Sequence, residues 1–165
     1  MALEAGGIAE KLGNDYEKSW VAKQFLDLIQ EKISAIQVEP LGDDETGVDV
    51  IIRNLDGTQD YHQCKAGNGN DEYWTLARLD GAGVLNKGFK QIKRTTNSFH
   101  IVSPLPFKRL LDISWKAKNT TTNIDDFFEH QVNSKEDRKF VAELAERLGL
   151  DLSDRNNKQD ILLFL

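Results

Sequence analysis

One carboxylate and a Gln-x-Lys pair stand on two neighbouring predicted strands. Asp49 begins an apolar run, and Gln63 and Lys65 end the run that follows it. Because strand side chains alternate between faces, Gln63 and Lys65 should project from the same side of their strand. The Asp56-Gly57 pair predicts a hairpin turn that sets Asp49 beside them. A carboxylate oxygen, an amide oxygen and an ammonium group together suit a metal-assisted attack of water on a phosphodiester.

Glu17 is the fourth candidate, and it lies on a helix predicted from Asn14, as the N-cap, to about Ile33. The spacing puts Glu17 on one helical face with Val21 and Phe25, which is expected to point toward the sheet. Burying an unpaired carboxylate is costly, so a cation is an expected partner. The alternative is a capping box, in which Glu17 bonds back to the Asn14 backbone N–H. Both interpretations stay open at this point.

Each of these residues also has a simpler structural interpretation when it is taken alone. Asp49 could be an edge-strand charge that discourages aggregation, and Lys65 a solvated lysine at a strand end. His62 and Cys64 should project from the opposite face and are expected to be packing residues. No spacing of cysteine and histidine in the chain suggests a zinc site. Only the combination of Asp49 with the Gln-x-Lys pair favours a site.

The composition limits the class of protein. A chain of 165 residues is expected to form one domain, with room for a small appendage. The net charge of −6 argues against a histone-like binder of nucleic acid, although local basic patches and bridging cations leave nucleic acid open as a partner. The single cysteine fits a reducing compartment. The sequence has neither an apolar stretch near the ~20 residues that span a bilayer nor a signal peptide, so we expect a cytoplasmic protein without a membrane partner.

Apolar periodicity predicts a helix, three strands, a helix, a strand and then further helices. After the hairpin, the predicted elements are a helix over 79–94, a strand over 99–103, a helix over 107–118, a short helix over 124–131 and a helix from a capping box at 134–137 to Gly149. The helix over 107–118 is expected to bury Phe107, Leu110, Leu111 and Trp115. The apolar residues 161–165 predict either a final strand or the end of a fragment, and the fragment is favoured.

Basic side chains cluster on two of these helices. The first cluster is Lys87, Lys90, Lys93 and Arg94, and the second is Lys108, Arg109, Lys116 and Lys118. A solvated helix face is the simpler interpretation of either cluster. A nuclease would use one of them to hold a phosphate backbone without reading its sequence.

The element order, with Glu17 on the first helix, Asp49 on the second strand and Gln63-x-Lys65 on the third, resembles the PD-(D/E)xK, or restriction-endonuclease-like, superfamily. Gln63-Cys64-Lys65 is similar to the Gln-x-Lys variant of Mrr-type nucleases. The stretches 6–7, 16–20, 47–50 and 63–65 also resemble the N-terminal nuclease domains of bacterial anti-phage proteins, in which such a domain is fused to a STAND-type NTPase sensor.

The resemblance covers about residues 6–103 and implies an α/β fold. That fold is a restriction-endonuclease-like αβββαβ core over 1–118, with a mixed central sheet flanked by helices. A helical extension over 119–165 would follow the core. The chain departs from the commonest form of the superfamily in having Gln63 where Asp or Glu is usual, and Val48 where Pro precedes the Asp.

The resemblance also implies a role for each site residue. Asp49 would bind Mg²⁺ or Mn²⁺ directly, and Glu17 would do so directly or through water. The Gln63 amide oxygen and the backbone carbonyl of Cys64 would complete the protein ligands. Lys65 would orient the attacking water and stabilise charge on the phosphate. Two further carboxylates, Glu39 and Asp44, rank lower as ligands of a second ion, and Asp43 and Glu45 are expected to be solvated loop charges.

The function that the resemblance implies is a metal-dependent DNA endonuclease acting on double-stranded DNA. It would be the effector domain of an anti-phage protein, fused to or assembled by a sensor or NTPase domain, and could act as a homo-oligomer. One alternative is a catalytically silent module of the same fold that binds nucleic acid or assists assembly. Another is a structure-specific nuclease or one directed at RNA.

Overall fold

The computed structural model of the chain describes residues 5–42, 46–67, 72–95, 97–120 and 123–165, with side chains from Asp15 onward. The helices are α1 (Ala5–Ile29), α2 (Leu76–Gly81), α3 (Val84–Arg94), α4 (Lys108–Lys118), α5 (Ile124–Asp126), α6 (Lys135–Leu148) and α7 (Arg155–Phe164). A π-helical turn, Phe127–Gln131, follows α5. The strands are β1 (Ile33–Val38), β2 (Val50–Asn54), β3 (Gln59–Cys64) and β4 (Ser98–Val102).

The chain divides into two compact units. The sheet unit is Met1–Tyr73 with Arg94–Pro106, and the helical unit is Trp74–Lys93 with Phe107–Leu165. The sheet unit holds α1 and the four strands, whereas the helical unit includes helices on both sides of residue 118. The functional division predicted at that residue stays a prediction.

The four strands form one mixed sheet in the order β1-β2-β3-β4. β1 pairs with β2 and β2 with β3 in antiparallel fashion, and β3 pairs with β4 in parallel. Helix α1 packs against β1 and β3. The predicted α/β class, with a mixed sheet, flanking helices and helices at the C-terminal end, is therefore confirmed.

A tight turn joins β2 to β3 where the Asp-Gly pair predicts it. Gly57 has a φ of 86°, a left-handed conformation that glycine adopts without steric cost. Its N–H donates to the Asn54 carbonyl at 3.1 Å. The Asp56 carboxylate accepts hydrogen bonds from the Thr58 N–H and hydroxyl. The predicted hairpin is confirmed, and it fixes the register of the two strands.

Helix α1 is longer than predicted and buries a different face. It begins at Ala5, so Asn14 lies inside the helix and the predicted N-cap there is wrong. An interior N–H bonds to the carbonyl four residues before it, which removes the capping-box interpretation of Glu17. Phe25, expected to be buried, is 48% exposed, whereas Gln24 is only 6% exposed. The buried face is therefore rotated by about one residue from the predicted one.

Helix α6 begins and ends as its sequence predicts. The Ser134 hydroxyl accepts the Asp137 N–H at 3.0 Å, which caps the first turn. Gly149 ends the helix in the left-handed conformation, with a φ of 69°. Val141 and Leu144 are buried, as predicted.

The predicted buried side of α4 is wrong for two of its four residues, whereas Phe107 and Leu110 are half-buried. Leu111 and Trp115 are 65% and 66% exposed, while Ile113 and Ala117 are buried. The cause lies outside the helix: two basic residues on the Ile113 side form ion pairs with Asp137 of α6. These long-range contacts decide which face of α4 turns inward, and the periodicity of the helix itself does not reveal them.

Two other elements also differ from prediction. The helix expected over 79–94 is two helices, α2 and α3, because the chain turns at Gly83 with a φ of 69°. The terminal apolar residues belong to α7 and do not form a strand. The Asp154 side chain starts α7 by accepting the Asn156 N–H, and Ile161 is buried.

Asp137 is the most buried charged group among the described residues, at 3% exposure. Its carboxylate lies 2.7 Å from Lys116 Nζ and 3.1 Å from Arg109 Nη1. Burial acts to raise the pKa of Asp137, but hydrogen bonds to Lys116 and Ser134 hold that pKa below its usual range. This ion pair network joins α4 to α6.

Replacing Asp137 by Ala should lower the free energy of unfolding by about 2 kcal/mol at neutral pH, because the partly exposed Lys116 and Arg109 each lose a charged hydrogen-bond partner. A depressed folded-state pKa contributes stability above the unfolded-state pKa, and that contribution is lost as the pH falls through the folded-state value. The difference from wild type, measured by urea denaturation, should therefore shrink in acid. The exposed Asp112→Ala is the control and should change stability by less than about 0.5 kcal/mol. If Asp137→Ala lowered the stability at neutral pH by no more than the control does, the ion pairs of Asp137 would not stabilise the fold.

Candidate active site

Asp49 lies directly before β2, and its carboxylate is fixed to β3. Asp49 Oδ2 accepts the backbone N–H of Cys64 at 2.6 Å. The Asp49 N–H donates to the His62 carbonyl at 2.9 Å, although the residue paired with His62 is Val50. Two consecutive residues of one strand thus oppose one residue of the other, which is the arrangement of a β-bulge.

This irregularity changes the face on which Asp49 lies. Regular alternation would put Asp49 beside Ile51. Instead, Val48 packs with Ile51 and Tyr61 in one buried cluster. Asp49 is therefore out of step with that cluster, and its carboxylate reaches the backbone of Cys64.

Glu17 lies within electrostatic range of both Asp49 and Lys65. Burial raises the pKa of Glu17, and the charges of Asp49 and Glu39 raise it further, whereas Lys65 opposes the shift. Burial also raises the pKa of the Cys64 thiol to about 12, again with contributions from Asp49 and Glu17 and with Lys65 opposing. Three of the four predicted catalytic residues, Glu17, Asp49 and Lys65, thus all contribute charge near Cys64.

Lys65 directly follows β3 and extends its pairing with β4. The Lys65 N–H donates to the Val102 carbonyl at 2.8 Å, which holds the backbone in line with the strand. The side chain is half-buried. Within the described ranges, no hydrogen bond or ion pair engages its ammonium group. Lys65 thus provides a positive charge within electrostatic range of Glu17.

Gln63 is not joined to this group by any contact within the described residues. Its side chain is 2% exposed, and Oε1 has no hydrogen-bond partner in the part of the chain that the structure describes. Strand alternation puts Gln63 on the side of Tyr61, opposite His62. A buried amide oxygen without a partner is costly, so Oε1 is an acceptor that a bound cation or a hydrogen-bond donor would satisfy.

Of the carboxylates predicted for a second ion, Glu39 is described and Asp44 is not. The exposed Glu39 has a φ of 49°, and its N–H donates to the Asp49 carbonyl at 2.9 Å. Its charge contributes to the raised pKa of Glu17, so it belongs to the same electrostatic neighbourhood. Asp43, Asp44 and Glu45 lie outside the described residues.

The structure also brings together three residues that the sequence analysis did not select, namely Asp60, His62 and His100. Their ligand atoms all lie within 4.8 Å of one another. Asp60 and His62 are two residues apart on β3, and His100 is the partner of His62 on β4. The sequence shows no spacing of cysteine and histidine typical of zinc, because the two histidines of this set come from strands far apart in the sequence. The Asp-x-His alternation was the only local signal.

His62 packs between two aromatic rings, which agrees with its predicted packing role. Trp20 Nε1 donates to His62 Nδ1 at 3.0 Å. The His62 and His100 ring centroids lie 5.0 Å apart in an edge-to-face arrangement. Burial, followed by the neighbouring His100, lowers the pKa of His62 to about 4. His62 is therefore neutral at pH 7.

The two basic clusters differ in how many of their residues form ion pairs with carboxylates. Lys87, Lys90, Lys93 and Arg94 are all exposed on α3. Lys93 Nζ lies 2.7 Å from Asp160 Oδ1, so part of that charge is compensated. In the second cluster, Arg109 and Lys116 bind Asp137. A role for either cluster in holding DNA stays a prediction.

Comparison of the chain with protein-family models, curated proteins and solved structures finds no match. The interpretation of the site therefore depends on its geometry and electrostatics. Among the described residues, no helix has both the length and the apolar character required to cross a bilayer.

Replacing Asp49 by Asn should lower the pKa of Glu17, because the substitution removes a negative charge that disfavours the ionised form. The amide oxygen of Asn can still accept the Cys64 N–H, so the local backbone should be preserved. A pH titration of the glutamate carboxyl carbons by NMR measures the shift. Asp27→Asn is the control, because Asp27 lies on the same helix as Glu17 but is paired with Lys32. This substitution should leave the Glu17 pKa unchanged. A Glu17 pKa that is equal in wild type and Asp49→Asn would show that the two carboxylates do not interact.

Proposed function

We propose that the chain is a metal-dependent DNA endonuclease of the restriction-endonuclease-like superfamily, related to the Mrr-type variant. The observation that carries the proposal is the group of Glu17, Asp49 and Lys65 at the end of β3. The order of the sheet supports it: one helix, three strands in antiparallel succession, and a fourth strand parallel to the third. That is the order implied by the resemblance of the sequence.

The charges of this group favour a divalent cation. Glu17 carries a raised pKa because it is partly buried near Asp49 and Glu39, so the ionised carboxylates repel one another. A bound cation would remove this cost. Carboxylate and amide oxygens are ligands that Mg²⁺ accepts, and Mn²⁺ uses similar ones. The amide oxygen of Gln63, which has no hydrogen-bond partner among the described residues, is a further candidate oxygen ligand.

In this proposal, Mg²⁺ or Mn²⁺ supplies Lewis-acid polarisation of the phosphate and acidifies a water molecule. Asp49 and Glu17 hold the ion, with Gln63 and the Cys64 carbonyl as further oxygen ligands. The hydrogen bond from the Cys64 N–H orients the Asp49 carboxylate. Lys65 positions the water and places a compact positive charge where negative charge develops on the phosphate.

The wider setting is proposed from the resemblance. The substrate would be double-stranded DNA, its backbone held by exposed basic residues such as Lys87 and Lys90. The chain would be the effector domain of a bacterial anti-phage protein in the cytoplasm. A fused or associated sensor or NTPase domain, and homo-oligomer formation, would control its activity.

One observation favours a second candidate, a catalytically silent module of this fold that binds nucleic acid. The alternation of β3 directs Gln63 away from the face that holds His62 and Cys64. The charges of Glu17 and Asp49, in contrast, raise the pKa of the Cys64 thiol, so these carboxylates lie near Cys64. A metal site that lacks one of its oxygen ligands would bind Mg²⁺ weakly. Such a module would still bind DNA through its basic residues.

Plasmid DNA incubated with the protein and Mg²⁺ or Mn²⁺ tests the proposal. We expect cleavage by wild type, and a loss of about 100-fold or more in rate for Lys65→Ala and Asp49→Asn, because each removes a charge from the reacting centre. Lys139→Ala, an exposed lysine of α6 outside both basic clusters, is the matched control and should cleave at the wild-type rate.

The two candidates give different results. Cleavage retained by both Lys65→Ala and Asp49→Asn would remove these residues from the active site. If no variant cleaves, a DNA-binding assay by fluorescence anisotropy decides further. Binding of double-stranded DNA that does not depend on Mg²⁺ would support the silent module against the nuclease.

A further inference from the structure

We propose that Asp60, His62 and His100 form a second metal site, selective for a borderline transition ion such as Zn²⁺ and distinct from the carboxylate group around Asp49. All three residues belong to the sheet unit. Their ligand atoms lie within 4.8 Å of one another. The proposal does not depend on the nuclease function.

The pairing of β3 with β4 preorganises this site. His62 and His100 are direct partners in the parallel pair, and Asp60 lies on the same face as His62 because it is two residues away. Ligands about 2.0–2.1 Å from a tetrahedral Zn²⁺ lie roughly 3.3 Å from one another. Small side-chain rotations therefore bring the three ligand atoms to binding distance without a change of the backbone.

His100 supplies an independent observation that points to a ligand. Its Nε2 atom is buried and has no hydrogen-bond partner within the described residues, and it lies 3.5 Å from Asp60 Oδ1. A buried polar atom without a partner is costly, and a metal ion would satisfy it. The other Asp60 oxygen, Oδ2, accepts the Asn54 amide at 2.9 Å, which orients the carboxylate as an outer-shell partner does.

The ligand types select the ion. Two imidazoles and one carboxylate suit Zn²⁺, Co²⁺, Ni²⁺ or Fe²⁺, whereas Mg²⁺ prefers oxygen ligands alone. Three protein ligands leave a coordination position for water or a substrate, as in catalytic zinc sites. The set thus differs in chemistry from Glu17 and Asp49, and the two sites should take different ions.

Trp20 of α1 opposes metal binding at His62. Its indole N–H donates to His62 Nδ1 at 3.0 Å. Because the indole nitrogen can only donate, Nδ1 must offer its lone pair, and the proton of the neutral ring is on Nε2. Neither nitrogen then presents a lone pair to an ion. Binding through Nδ1 must therefore displace the Trp20 N–H, and binding through Nε2 must also move the His62 proton to Nδ1, which displaces the Trp20 N–H as well.

Isothermal titration of the 165-residue chain with Zn²⁺ tests the site. We expect one ion per chain in wild type. His100→Ala and Asp60→Asn should weaken binding by more than the about 10–100-fold typical of outer-shell changes, since each removes a ligand. His130→Ala is the matched control, because His130 is exposed and outside the set, and it should bind as wild type does.

Trp20→Phe tests the competition directly and should bind Zn²⁺ roughly 2–10-fold more tightly, the effect of removing one competing hydrogen bond.

Substitution by Co²⁺ should give visible bands typical of nitrogen and oxygen ligands. A sulfur-to-cobalt charge-transfer band that disappears in Cys64→Ser would overturn the assignment, since the thiolate would then be a ligand. Equal affinities for wild type, His100→Ala and Asp60→Asn would also overturn it, and so would the absence of binding by wild type. Unchanged affinity in Trp20→Phe would overturn the role of Trp20. None of these measurements involves DNA cleavage.

Discussion

The position of β3 between an antiparallel and a parallel neighbour is the constraint on which the chemistry of the sheet unit depends. Both edges of β3 are paired, so the strand cannot rotate or slip, and each side chain is committed to one face. Asp60, His62 and Cys64 share one face, and Tyr61 and Gln63 share the other. A change of register by one residue would separate His62 from His100 and would move Cys64 away from Asp49.

The electrostatics of that strand divide its ligands by chemical type. Glu17, Asp49 and Glu39 place several negative charges near one lysine, which is a setting for a hard cation. Two imidazoles and one carboxylate, from His62, His100 and Asp60, form the other group, which suits a borderline ion.

Features governed by local chemistry could be predicted from the sequence. The Asp56-Gly57 turn and the capped ends of α6 depend on residues adjacent in the chain, and the structure has both. Features that depend on distant contacts could not be predicted. The inward face of α4 is decided by Asp137 on another helix, and the face of Asp49 by a bulge that alternation alone does not reveal. The pairing of His62 with His100 requires the parallel β3–β4 contact, which no local pattern specifies.

Helix α1 connects the two groups of ligands. Glu17 and Trp20 are three residues apart and so lie on the same side of a rigid helix. The Trp20–His62 hydrogen bond anchors that side to β3, and α1 also packs on β1. The position of the Glu17 carboxylate relative to Asp49 therefore depends on a contact made by a histidine of the other group. One helix thus carries both Glu17, which is within electrostatic range of Asp49, and Trp20, which binds His62.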